Sequence, residues 1–121
     1  MPHGIASEKV IEYGDTVTLD FGCIFEGYCS DMTRTVFLGK ADDKIKEIYR
    51  IVLRAQTAAL KALKPGIICK EVDREARRII DNEGYGKNFS HGLGHSVGLE
   101  VHEEPRLSTR SEDVLQPGMV V

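Results

Sequence analysis

Between His91 and Pro105 the chain reads HGLGHSVGLEVHEEP, which places three of its four histidines within twelve residues. Imidazoles this dense can bind a metal, move a proton or donate to an anion. His91 and His95 stand four apart, the spacing that puts two ligands on one helical face. Gly92, Gly94 and Gly98 argue against that helix, because each costs roughly 1 kcal/mol relative to alanine. The backbone presenting these side chains is therefore expected to be extended or looped. Their chemical partners must come from elsewhere in the chain.

Asp20 and Asp31 are the strongest candidates for those partners. Val17, Leu19 and Phe21 alternate with Thr16, Thr18 and Asp20, the period of a strand. Gly14-Asp15 reads as a turn before it. A second extended run, SDMTRTVFL, begins after Phe25-Glu26-Gly27, so the two runs read as a β-hairpin. A two-residue turn at Phe25-Glu26 sets Asp20 directly opposite Asp31. A turn at Glu26-Gly27 leaves them diagonal on one face. A three-residue turn puts them on opposite faces unless a bulge intervenes. Like charges facing across a sheet destabilise it. A shared proton or a divalent cation relieves that repulsion; so does simple hydration at two strand ends. Two acids and a histidine form a donor set for a first-row metal, suited to Mn²⁺, Fe²⁺ or Co²⁺ as much as to Zn²⁺.

The remaining elements must position these groups. Asp42 or Asp43 can cap a long helix. Its apolar stripe is read as Ile45, Ile48, Tyr49, Val52, Ala59, Leu60 and Leu63, with Pro65-Gly66 as the stop. A shorter helix follows from about Lys70, with Val72, Ala76, Ile79 and Ile80 inward and Gly84 ending it. Arg74, Arg77 and Arg78 are read as its solvated face. SVGLEVH then looks strand-like, Pro117-Gly118 turns, and Met119 to Val121 looks like the start of another strand. Hairpin, helix pair and strands in that order indicate an α+β fold with an antiparallel sheet and flanking helices.

The totals fit one domain of 121 residues, 41% hydrophobic and 29% charged, with a net charge of −3. There is no basic run to suit nucleic acid and no apolar stretch of membrane-spanning length. The beginning of the chain lacks signal-peptide character. Cys23, Cys29 and Cys69 are odd in number and lack metal-site spacing, so they are read as reduced, small buried residues of a cytoplasmic protein.

LDFG at Leu19–Gly22, SDMTRT at Ser30–Thr35 and the histidine segment together resemble the metallopeptidases of the pita-bread fold. PHGIAS, GDTVTLDFG and GYCSDMTRT point to its Xaa-Pro aminopeptidase and Xaa-Pro dipeptidase (prolidase) branch. The resemblance implies two divalent metal ions, Mn²⁺ foremost with Co²⁺ or Zn²⁺ as alternatives. It implies Asp20, Asp31 and His95 as metal ligands, with Asp31 shared between the ions. His102 is then a catalytic histidine near the substrate carbonyl. His91 has a catalytic or substrate-pocket role, and His3 lines the pocket. The implied substrate is a peptide or dipeptide with proline second. Methionine aminopeptidase, or a non-catalytic pita-bread module that binds peptides or proteins, are the alternatives.

The resemblance further implies two glutamate ligands, the first expected shortly beyond Val121, and a further helix pair and N-terminal domain ahead of the hairpin. On that expectation the 121 residues are an internal part of the catalytic domain. They are expected to be inactive alone, and to form a homodimer or otherwise self-associate.

Overall fold

The computed structural model describes residues 4–121. The substrate-pocket expectation for His3 lies outside the described residues.

β1 (Thr16–Phe21) pairs antiparallel with β4 (Met32–Phe37), and β2 (Ile24–Phe25) pairs with β3 (Tyr28–Cys29) at the tip of the same hairpin. The turn is Glu26-Gly27. Both residues have positive φ, 50° and 86°, as a type I′ connection requires. Phe25 faces Tyr28 and Asp20 faces Thr33, so one register runs through both ladders. Of the three registers open from the sequence, this is the one that leaves Asp20 and Asp31 diagonal.

The ladders are interrupted where Gly22 and Cys23 meet Ser30 and Asp31. The Cys23 amide donates to the Ser30 hydroxyl at 3.1 Å, and the Ser30 amide donates to the Cys23 carbonyl at 2.9 Å. The Ser30 carbonyl turns onto Gly22, where a β-carbon would lie 2.0 Å from its oxygen. Only glycine admits that approach.

α1 (Asp43–Ala62) starts at Asp42, whose carboxylate accepts from the Ile45 amide at 2.8 Å. α2 (Cys69–Asn82) has no capping side chain at Ile68. Its first amides are met by backbone instead: Cys69 donates to the Asp113 carbonyl and Lys70 to the Ser111 carbonyl. Those donors would otherwise be orphaned. β5 (Gly94–Ser96) pairs antiparallel with β6 (Glu103–Leu107), with a bulge between His95 and Ser96.

The core lies between the helices. Ile51, Ala55 and Ala59 of α1 meet Cys69, Val72, Ala76 and Ile80 of α2, and Leu107 and Leu115 close one side. Alanines at the crossing let the helices approach closely. Full burial of a residue such as Ile51 or Ile80 contributes about 1.5–3 kcal/mol.

The stripe expected on α1 is corrected here. Ala59 is buried and Leu63 packs against the core, but Ile48, Tyr49, Val52 and Leu60 are exposed. The face turned to α2 is the neighbouring one, through Ile51 and Ala55. Tyr49 instead meets Phe37 of β4 edge-on, ring centroids 5.9 Å apart. α2 follows its expected pattern, with Ile79 only partly buried and two additions, Cys69 and Asp73. Of SVGLEVH only Ser96 is in a strand, and Met119 to Val121 form none. The antiparallel pairs are three separate ladders and do not join into one sheet. Among the described residues, no helix is long and apolar enough to cross a membrane. Cys69 alone of the three cysteines is buried, where desolvation raises its thiol pKa.

Gly22→Ala is expected to lower stability by about 1–3 kcal/mol, because the added methyl meets backbone that cannot swing aside. A urea unfolding midpoint equal to that of the unsubstituted chain would show that the hairpin absorbs the methyl.

Candidate metal centre

Asp31 stands just before β4, His95 in the middle of β5, and His102 immediately before β6. Far apart in sequence, they converge in space. One ligand atom from each lies within 4.8 Å of the others. His95 Nε2 is 3.4 Å from Asp31 Oδ2, and the His95 and His102 ring centroids are 4.4 Å apart.

Backbone contacts bring the three together. The Cys29 amide donates to the Gly98 carbonyl at 2.7 Å, and its thiol donates to the Leu99 carbonyl at 3.4 Å. These bonds fasten the hairpin to the loop between β5 and β6, with Asp31 two residues further on. Gly92 lies against β6, where a β-carbon would sit 3.1 Å from the Leu107 carbonyl oxygen. That close passage accounts for one of the glycines threaded among the histidines.

The tautomer of His95 follows from its surroundings. Nδ1 lies 3.0 Å from the Ser96 carbonyl oxygen. A carbonyl only accepts, so Nδ1 donates to it and Nε2 is the nitrogen left facing Asp31. Ser96 is itself buried, and its hydroxyl donates to the Pro105 carbonyl at 3.0 Å. The strand that carries His95 is thereby locked to β6 at the bulge.

The donor set fits a divalent ion. Two donors about 2.1 Å from a common ion at a tetrahedral angle stand roughly 3.4 Å apart, which is the His95–Asp31 separation. One carboxylate with two imidazoles suits first-row divalent metals. Asp31 and His95 would hold such an ion, with the His102 imidazole within 4.8 Å of both.

Asp20 is outside this three-donor group and accepts from the Thr33 hydroxyl at 3.4 Å. His102, which the resemblance sets beside the substrate carbonyl, is inside it. His91 is exposed, its Nδ1 2.8 Å from the Gly92 carbonyl and its ring edge-on to Phe89 with centroids 4.9 Å apart.

Two contributors were missed in the sequence. Asp73 has no accessible surface, and its carboxylate accepts from the Leu93 amide at 3.0 Å. Arg77 grips both Asp73 oxygens, at 2.8 and 3.0 Å. It also donates to the Phe89 and His91 carbonyls, at 2.7 and 2.8 Å. Its reading as part of the solvated face is therefore wrong, although Arg74 and Arg78 are exposed and pair with Glu71 and Glu75. The hydrogen bond to Asp73 raises the Arg77 pKa above its ordinary value. A signal was present: Asp73 occupies a slot in the stripe Cys69, Val72, Ala76, Ile80.

The sequence profile of metallopeptidase family M24 matches residues 1–121. The chain belongs to that family. It is 54% identical over its full length to the Xaa-Pro dipeptidase of Pyrococcus horikoshii, of which it covers 34%. It superposes on the prolidase from Pyrococcus furiosus with a TM-score of 0.95 and 53% identity, covering 98% of this chain and 35% of that one. A methionine aminopeptidase from Thermotoga maritima gives a TM-score of 0.81 and 31% identity, over 97% of this chain and 49% of that one. The fold of this M24 chain is accordingly part of the pita-bread fold. The chain spans about a third of the length of the Xaa-Pro dipeptidase and prolidase it matches.

His95→Ala and Asp31→Ala are each expected to weaken Co²⁺ binding by this M24 chain at least about 10-fold, since each removes a direct donor. Asp20→Ala should weaken it less. Titration followed by visible absorption checks the order, and an Asp20 effect as large as that of His95 would place Asp20 among the donors of the same ion.

Proposed function

We propose that this chain carries part of the metal centre of a peptidase that cleaves the Xaa-Pro bond at the N-terminus of peptides or in dipeptides. The observation that carries the reading is the convergence of Asp31, His95 and His102 within 4.8 Å. Its place in a chain 54% identical to an Xaa-Pro dipeptidase supports the substrate class. The lower identity to a methionine aminopeptidase, 31%, favours the Xaa-Pro branch over that alternative.

A divalent ion held there supplies Lewis acidity and eases deprotonation of water near neutral pH. Mn²⁺ is the proposed metal, two ions the proposed complement, and Asp20 a proposed donor to the second. The protein's own part is orientation. His95 offers Nε2 because Ser96 holds the proton of Nδ1. The exposed His102 imidazole is placed to donate to the oxygen of a substrate carbonyl as it gains charge. His91, exposed beside Phe89, is assigned to the pocket wall. A cytoplasmic setting fits the three free thiols.

The reading is tested in a full-length protein containing this stretch. Xaa-Pro dipeptides and peptides should be cleaved in the presence of Mn²⁺, and Met-Ala peptides should not. Cleavage of the methionyl substrates alone would transfer the protein to the other branch, and inactivity on both across metals would end the enzymatic reading.

In the same protein, His102→Ala should lower kcat by roughly 10²–10³-fold, the scale for losing one oxyanion donor. Metal content, read by atomic absorption, should stay near its original value. Loss of the metal in that variant would make His102 a ligand.

The 121 residues alone are expected to lack peptidase activity and to self-associate. Asp20, Asp31 and His95 are too few ligands for a site of two bridged ions. Large apolar side chains also stand uncovered on the hairpin: Ile24 and Phe25 are each 73% exposed. Such surfaces are commonly covered by another chain. Sedimentation velocity and an Mn²⁺-supplemented Xaa-Pro assay check both halves; an active monomer would contradict them.

A further inference from the structure

We propose that Asp73 and Arg77 are positioning residues for the donor cluster, holding the backbone that leads into His95 from the face of α2. The proposal rests on the metal reading above only for its consequence, metal affinity.

The geometry is that of a clamp. Asp73 and Arg77 are four apart on α2 and form a two-point ion pair, with Asp73 wholly buried. Asp73 reaches the chain at Leu93 and Arg77 reaches it at Phe89 and His91. Three backbone groups within five residues are thus fixed to one helix, and the last lies two residues before His95. The Arg77 guanidinium also sits over the Phe89 ring, 4.2 Å from its centroid, and Phe89 in turn meets His91. The segment between Phe89 and Leu93 has no ladder partner of its own. Without the clamp, its carbonyls and the Leu93 amide lose their partners, and His95 is held only by the short β5–β6 ladder. Groups that orient a ligand from behind typically change metal affinity by 10- to 100-fold when removed.

Arg77→Lys tests the geometry apart from the charge. Lysine keeps a cation opposite Asp73, but a single ammonium cannot match the planar fork that serves both oxygens and two carbonyls. A second variant, Asp73→Asn with Arg77→Gln, removes both charges and leaves none buried alone. Ile51→Val, in the core and away from the segment, serves as a stability control. Each is compared with the unsubstituted chain in the metal-free state, by the imidazole resonances of His95 and His102 and by hydrogen exchange at Leu93. Each is then titrated with Co²⁺.

Both clamp variants should shift the imidazole resonances, release Leu93 to exchange and weaken Co²⁺ binding about 10-fold. Ile51→Val should lower the Tm without moving these signals. Imidazole resonances and Leu93 exchange unchanged in both clamp variants, or moved equally by Ile51→Val, would overturn the proposal. If the unsubstituted chain takes up no Co²⁺, the metal reading fails, while the metal-free measurements still decide the clamp.

Discussion

Asp73 carries its charge at a position with no accessible surface, and a buried carboxylate must be met by donors. Leaving such a group unpaired costs about 3–5 kcal/mol. Arg77 supplies two of the donors and the Leu93 amide a third. The requirement is satisfied only when the chain from Phe89 to Leu93 lies along α2. One electrostatic constraint therefore fixes the histidine segment relative to the helix pair. The helix pair is in turn fixed by small residues, Ala55, Ala59 and Ala76, that let α1 and α2 close on each other. A carboxylate on the neighbouring helix thus helps to decide where the histidine segment lies.

The two sides of the donor cluster are held with different strength. His95 is fixed from α2 through the clamp, and from β6 through the ladder and the buried Ser96 hydroxyl. Asp31 arrives on a hairpin fastened to the β5–β6 loop by the amide and thiol of Cys29. A hydrogen bond of that kind contributes about 0.5–1.5 kcal/mol net. Phe37 of the hairpin also meets Tyr49 of α1 edge-on. The imidazole side is thus tied to two elements, and the carboxylate side to the β5–β6 loop.

Local pattern made part of this legible. Asp42, the inward residues of α2 and the hairpin could be read because capping and periodicity are properties of neighbouring residues. The hairpin register stayed open among three choices, since it depends on the conformations of Glu26 and Gly27. The buried face of α1 was misread because Ile48, Val52 and Leu60 are as apolar as Ile51. Periodicity finds a stripe but not which edge of it has a partner. Arg77 was misread for a related reason: an arginine beside two exposed arginines looks solvated until the partner of Asp73 is sought. The run from Val97 to His102 looked like strand because its residues favour one, yet without a paired neighbour it bends.

Ser96 ties the His95 ring to β6. Its carbonyl accepts from His95 Nδ1, and its hydroxyl donates to the Pro105 carbonyl. The first bond decides which nitrogen faces Asp31, and the second decides where the backbone bearing that carbonyl lies. Both are made within the protein and need no ion. The His95 ring is therefore oriented without any ion, so the cost of ordering that side chain is met during folding. The bulge between His95 and Ser96 belongs to the same device. A regular ladder would carry the next residues straight along β6, whereas the extra twist of a bulge re-aims the chain. The loop that follows curves back to bring His102 beside His95, closing the cluster that begins on the far hairpin with Asp31.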